Sequence, residues 1–292
     1  MFVHVVDGTY ELFRQFFARP SHLNGDGLEV GGARAVVRGM LTMLEEGATH
    51  LGVATDHVIE SFRNELYDGY KSGEGLDPLI FGQFGPLERG LQAIGVATFP
   101  MVTYEADDGM ASIAAVASAD ERVDKVLLCT PDKDLAQCVR AGRVLQFDRR
   151  NNKMFDVADV VEKFGVPPES IPDYLGLVGD SADGFPGLPG WGAKSTATVL
   201  ARYGHIEQIP LAAGQWDITV RGGAKLAKTL ADHLEDALLF RRLAVLEVDA
   251  PTITSVDELV WSAPTDDLDA VVHLLDAPDL RTRADKLAEA RS

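Results

Sequence analysis

The chain has 292 residues, 46% of them hydrophobic, enough to bury a core in one large or two modest domains. Its net charge of −18 opposes nonspecific attraction to nucleic acid, because binding a polyanion depends on neutralising phosphates with Lys and Arg. Two cysteines, Cys129 and Cys138, form neither a disulfide framework nor a CxxC pair, and no apolar run reaches the ~18 residues of a membrane span. The opening "MFVHVVDG" lacks the basic start of a secretory signal, so the expectation is a cytoplasmic protein with no membrane segment.

In chain order, short β-rich runs alternate with helical patterns. "FVHVV" precedes Asp7, "HLGVAT" precedes Asp56, "VATF" starts at Val96, "KVLLCT" precedes Asp132 and "RVLQF" precedes Asp148; Val30–Glu46 and Asp107–Ala117 read as helices between them. This predicts an α/β fold whose mostly parallel sheet is flanked by helices. Ligands of such sheets gather at the carboxyl ends of the strands, where Asp7, Asp56 and Asp132 fall. From Asp156, an N-cap for "VADVVEKF" with Gly165 as its stop, strand signals mostly fade and helices follow, notably over 223–242, 266–275 and 278–291. The expected division is 1–165 and 166–292.

The stretch "YEADDGMAS" crowds Glu105, Asp107 and Asp108 into four positions, and each carboxylate raises the cost of ionising the others unless a cation or a donor answers it. Two readings are open: an acidic first helical turn, favoured by the helix's N-terminal partial charge, or a metal site. "TPDKDL" adds Asp132 and Asp134, and "GDSAD" adds Asp180 and Asp183. An all-oxygen set without His or Cys suits Mg²⁺ or Mn²⁺ rather than zinc, and nine acids exceed the needs of one ion. "GLPGWGAKSTA" supplies a glycine-rich turn, with Gly190 and Gly192, before Lys194 and Ser195 at a helix start suited to a phosphate oxygen; it is not a Walker motif.

Six stretches, "VVDGTYELFR", "SFRNELYDGYK", "YEADDGMASIA", "TPDKDLAQ", "DYLGLVGDSADGFPG" and "GLPGWGAKSTA", resemble in the same order the 5′ nuclease family of flap endonucleases and the 5′→3′ exonuclease domain of bacterial DNA polymerase I. The resemblance covers about residues 2–242. It implies a PIN-like nuclease core with a short helical arch near 60–94, then a helical region with a helix-hairpin-helix near 180–204 that grips duplex DNA. It further implies that Asp7, Asp56, Glu105, Asp107, Asp108, Asp132 and Asp134 bind two Mg²⁺ or Mn²⁺ ions directly or through water, supported by Asp180 and Asp183. Lys71 would stabilise the scissile phosphate with help from Arg14, and the hairpin would hold a K⁺ ion. Tyr70, Gly190, Gly192, Lys194, Ser195 and the helically spaced Arg221, Lys225 and Lys228 would meet the DNA. The implied activity is that of a stand-alone, monomeric 5′→3′ exonuclease and flap endonuclease, acting in replication or repair on DNA whose 5′ single strand adjoins duplex.

The chain departs from the family's pattern in two places. The arch carries Glu74 where a base is usual and counts Arg63, Lys71 and Arg89 against Glu60, Glu65, Asp68, Glu74, Asp77 and Glu88. The usual "GDxSDNxPG" is "GDSADGFPG", with Ala182 and Gly184 in place of Ser and Asn. These departures keep open a weakly active or non-catalytic branched-DNA binder, and the core alone keeps open a PIN-type ribonuclease. The global charge is less adverse than it looks. Setting aside the nine candidate ligands and the acidic tail from Glu247, with its eleven acids and four bases, leaves about −2 for the body.

Overall fold

The computed structural model describes residues 1–291. The chain forms two compact units, one built from Met1–Ile59, Gly73–Thr130 and the segment from Glu247 onward, the other from Glu60–Ser72 and Pro131–Leu246.

In the first unit, β1 (Phe2–Asp7), β2 (His50–Asp56), β3 (Ala97–Met101) and β4 (Lys125–Cys129) lie in the order β3-β2-β1-β4. All three pairings are parallel, with Val6 opposite both Val53 and Cys129, and Val53 opposite Thr98. The apolar runs that predict these strands are continuous rather than alternating, as a sheet covered on both faces requires. Val3, Val5, Val6 and Val53 are accordingly fully buried. The helices Gly31–Glu45 and Ala106–Ala119 bury Val36, Val37, Met40, Leu41 and Leu44, and Ala111, Ala114 and Ala117, respectively. Parallel strands put their carboxyl ends on one edge, so Asp7 and Asp56, the last residues of β1 and β2, end there.

The acid-rich C-terminal segment is part of this unit's core. Leu268, Val271 and Leu275, then Leu280, Ala284 and Leu287, recur at helical spacing and are buried. Each fully buried leucine contributes on the order of 2 kcal/mol. Trp261 donates its indole N–H to Ile94 O at 2.7 Å, and beside it Gly95 has φ +83°, with Ala263 O only 2.1 Å from where a Cβ would lie. Only glycine fits that crossing. Asp267 and Asp279 of this segment pair with Arg89 and Arg38, so much of its acidity is answered locally.

The second unit has β5 (Val144–Asp148) antiparallel to β6 (Lys153–Phe155), joined by a turn in which Asp148 Oδ1 accepts the N–H groups of Arg150 and Asn151. Asp156 caps the helix Val157–Phe164, which stops at Gly165 with φ +74°. The helices Ile171–Val178, Ala193–Tyr203, Gly223–Asp232 and Leu234–Ala244 pack around Leu175, Val199, Leu200, Leu226, Leu230, Phe185 and Phe240. The pattern over 223–242 is thus two helices, broken at His233, whose φ of −131° leaves the helical range.

Candidate active site

The first unit supplies five of the expected acids. Asp7 is 6% exposed and caps the helix Gly8–Ala18: its Oδ1 accepts the Tyr10 N–H at 2.8 Å, and its Oδ2 the Thr130 hydroxyl at 3.0 Å. Asp56 Oδ1 accepts the Ala106 N–H at 2.8 Å, while its own N–H donates to Thr9 Oγ1 at 2.8 Å. Glu105, 3% exposed, is the N-cap of Ala106–Ala119, and its N–H donates to Asp108 Oδ2 at 3.0 Å. Asp108 is fully buried, and its second oxygen accepts the Glu247 N–H at 2.9 Å. "YEADD" is therefore an acidic helix start in which Asp108, in the first turn, reaches back to the N–H of the N-cap Glu105, while Asp107 stands partly exposed in the same turn. Arg14 is ion-paired with Glu11 on the same helix.

The second unit supplies the remaining four. Asp132 Oδ1 accepts the Asp134 N–H at 2.9 Å, and Gln146 holds the Asp132 carbonyl at 2.6 Å. Asp134, Asp180 and Asp183 are all buried and present oxygens within 4.8 Å of one another. Asp180 is ion-paired with Lys133, and its Oδ1 accepts the Ala182 N–H at 3.0 Å. Asp134 Oδ1 is buried with no hydrogen-bond partner. Burial first, then the charges of Asp132, Asp183 and Asp180, push the Asp134 carboxyl well above the usual carboxylate range against the opposing pull of Lys133. Lys133 is itself raised: desolvation lowers it, and the three surrounding aspartates more than offset that.

Lys71 Nζ lies 3.0 Å from Asp183 Oδ1, and the Lys71 N–H donates to the Asp183 carbonyl at 2.9 Å. Asn64 holds the Lys71 carbonyl from the other side at 2.9 Å. The close fit has a cause in the sequence: Gly184 has φ +87°, and a Cβ there would lie 2.1 Å from Gly69 O. Glycine at 184 lets the lysine-bearing segment approach the "GDSADG" loop. Tyr70 is 5% exposed and sits in the unit's hydrophobic core, with Lys71 Nζ 5.6 Å from its ring centroid.

At the hairpin, Gly190 has φ +87° and Gly192 is the N-cap of Ala193–Tyr203, where the Ser195 hydroxyl donates to Gly192 O at 2.9 Å. Trp191 anchors the turn by donating to Leu226 O at 3.2 Å. Lys194, Arg221, Lys225 and Lys228 are exposed, the last paired with Asp232 at 2.7 Å.

The arch needs revision residue by residue. Arg63 is 1% exposed and donates to the Leu243 and Val245 carbonyls at 2.8 Å, so it offers no surface charge. Glu88 is 6% exposed and accepts from Thr55, and Arg89 pairs with Asp267. Charge counting places Glu88 on the arch surface, where it is in fact buried, and assigns Lys133 no role. Lys133's position between Asp132 and Asp134 was a legible signal; the burial of Glu88 was not.

Chemically, the Asp134–Asp180–Asp183 group fits a hard divalent cation. It is an oxygen-only donor set with a buried oxygen lacking a donor and a carboxyl disfavoured as a bare anion.

Residues 2–165 match the N-terminal resolvase-like domain of 5′-3′ exonuclease, and residues 166–267 match its C-terminal SAM fold. Bacillus caldotenax DNA polymerase I is 33% identical over 279 residues, 92% of this chain and 30% of that protein. The Aquifex aeolicus 5′-3′ exonuclease is 33% identical over 210 residues, 71% of each chain. The chain thus spans about three-tenths of that polymerase's length. Among solved structures, the bacteriophage T5 D15 protein crystallised with metal ions has a TM-score of 0.68 at 19% identity, covering 99% of both chains. The catalytic core of Rad2 with a DNA substrate has a TM-score of 0.61 at 16% identity, covering 97% of this chain and 91% of that one. At these identities the likeness carries the fold: a PIN-like core with a mostly parallel sheet, followed by a helical region.

Proposed function

The chain belongs to the 5′-3′ exonuclease family, and on that premise we propose that it hydrolyses DNA phosphodiesters beside the junction of a 5′ single strand with duplex, as exonuclease and flap endonuclease, in replication or repair. The observation that carries the reading is Lys71 set directly on the buried Asp134–Asp180–Asp183 cluster.

The residues that would hold two Mg²⁺ or Mn²⁺ ions are Asp7, Asp56, Glu105, Asp107, Asp132, Asp134, Asp180 and Asp183, with Asp108 ordering the helix start. Bound there, the cations would neutralise phosphate charge and lower the pKa of water. The chain's own residues do the rest. Lys71 exchanges the Asp183 carboxylate for a non-bridging phosphate oxygen, donating where negative charge grows in the transition state. Asn64 and the Asp183 carbonyl hold its backbone, so little reorganisation is needed. Arg14, released from Glu11, adds a second cation. The hairpin at Gly190 and Gly192, with a K⁺ ion, and Lys194, Ser195, Arg221, Lys225 and Lys228 track duplex phosphates, which makes binding salt-dependent.

The test is cleavage of an end-labelled 5′-flap DNA by the purified protein with Mg²⁺, with EDTA, and by Asp180→Asn. Metal-dependent cutting at the junction, lost in the variant, is expected. Flap binding without cutting would replace this reading with that of a branched-DNA binder, and cutting of RNA in preference to DNA would replace it with that of a ribonuclease.

A further inference from the structure

Glu88 lies outside every motif that points to function, yet it grips both neighbours of Asp56. Its Oε1 accepts the Thr55 hydroxyl at 2.7 Å, and its Oε2 lies 2.8 Å from His57 Nδ1. A carboxylate can only accept, so the imidazole presents N–H at Nδ1. Thr55 is fully buried, and the Glu88 side chain is 8% exposed against 48% for His57. Thr55 is the strand residue before Asp56 and His57 the first residue after β2 ends, so Glu88 holds the chain on both sides of Asp56. Two hydrogen bonds to one rigid carboxylate therefore fix the end of β2 about Asp56. Asp56 is held in turn through the Ala106 N–H and Thr9 Oγ1.

We propose that Glu88, on the helix Phe84–Ala93, is a positioning residue that sets the direction of the Asp56 carboxylate and thereby the affinity of the first unit's acids for a divalent cation. The proposal rests on the reading of Asp56 as a cation ligand. It assigns a buried role to an acid that charge counting places on the arch surface. Outer contacts of this kind typically change metal affinity about 10–100-fold.

The test measures Mn²⁺ affinity of the full chain by electron paramagnetic resonance, beside its metal-free melting temperature, for the wild type and for Glu88→Ala, Glu88→Gln and Asp56→Asn. Glu88→Ala is expected to weaken Mn²⁺ binding about tenfold. Glu88→Gln is expected to restore binding to within about twofold, because its amide oxygen still accepts from Thr55 and its N–H can serve the other His57 tautomer. A merely structural role would lower the melting temperature of Glu88→Ala and leave its Mn²⁺ affinity at the wild-type value, which overturns the proposal. Equal weakening in Glu88→Ala and Glu88→Gln also overturns it, since charge rather than hydrogen bonding would then be responsible. If Asp56→Asn binds Mn²⁺ as the wild type does, the reading of Asp56 as a ligand fails first and takes the proposal with it. Should Glu88→Ala not fold, Thr55→Val removes one of the two bonds with little change of shape: weakened binding supports the proposal, and unchanged binding overturns it.

Discussion

Asp108 and Asp134 are both buried aspartates from acid-dense motifs, and they are in opposite conditions. Asp108 has each oxygen on a backbone N–H, from Glu105 and Glu247, as a helix cap should. Asp134 has an oxygen with no donor and three like-charged neighbours. Burial alone does not mark a ligand. An acid whose oxygens are answered by the backbone belongs to the architecture, and one whose oxygen is left unanswered is the better candidate for a cation ligand.

The largest expected effect sharpens that contrast at the site. Asp134→Asn and Asp180→Asn should lower flap cleavage by at least ~10³-fold, the order seen for loss of a key transition-state stabiliser. Asp134→Asn should not lower the metal-free melting temperature, because it relieves like-charge crowding, whereas Asp180→Asn also gives up the ion pair with Lys133. A metal-free destabilisation equal to that of a core truncation would break the comparison. The converse variant, Asp108→Ala, leaves two backbone N–H groups without their acceptor, and chemical denaturation should show a loss of about 2–4 kcal/mol.

Gly184→Ala comes next. Its φ of +87° and the 2.1 Å approach to Gly69 O leave no room for a methyl group, so the Lys71 segment must shift. Stability should fall by about 1–3 kcal/mol. The turnover number kcat should fall more than DNA affinity, which a binding assay run beside the kinetics would separate.

The smallest effect is at the surface. The Arg38 guanidinium, hydrogen-bonded to Asp279, holds that carboxyl below the usual range, against the upward push of its partial burial. A depressed pKa contributes stability that is present above the unfolded value and lost as pH falls through the folded one. Asp279→Asn should therefore cost less than ~1 kcal/mol near neutral pH, discounted for solvent. The variant and the wild type should converge in a melting series as pH falls through the depressed Asp279 value, beneath the ordinary carboxylate range.

Much of this was legible in the chain. Continuous apolar runs closed by Asp announced β1, β2 and the approach to Asp132, since a covered parallel strand needs both faces apolar. β6 was not legible: "KMF" is three residues with Lys153 and Met154 exposed, too short for a period. The break at His233 was hidden because apolar residues continue across it at helical spacing. At the site, residue type and position named the acids. Their conditions depended on partners far along the chain, such as Glu247, 139 residues from Asp108. The acid-rich C-terminal segment reads as a solvated tail by charge, yet its buried leucines place it in the first unit's core.

The most direct measurement is anomalous diffraction from crystals soaked in Mn²⁺. The account predicts a peak about 2.0–2.3 Å from carboxylate oxygens of the Asp134–Asp180–Asp183 cluster and none bonded to Asp108, distances set by hard-cation coordination. A peak on Asp108 with its backbone N–H groups displaced, or no peak at the cluster at saturating Mn²⁺, would contradict it.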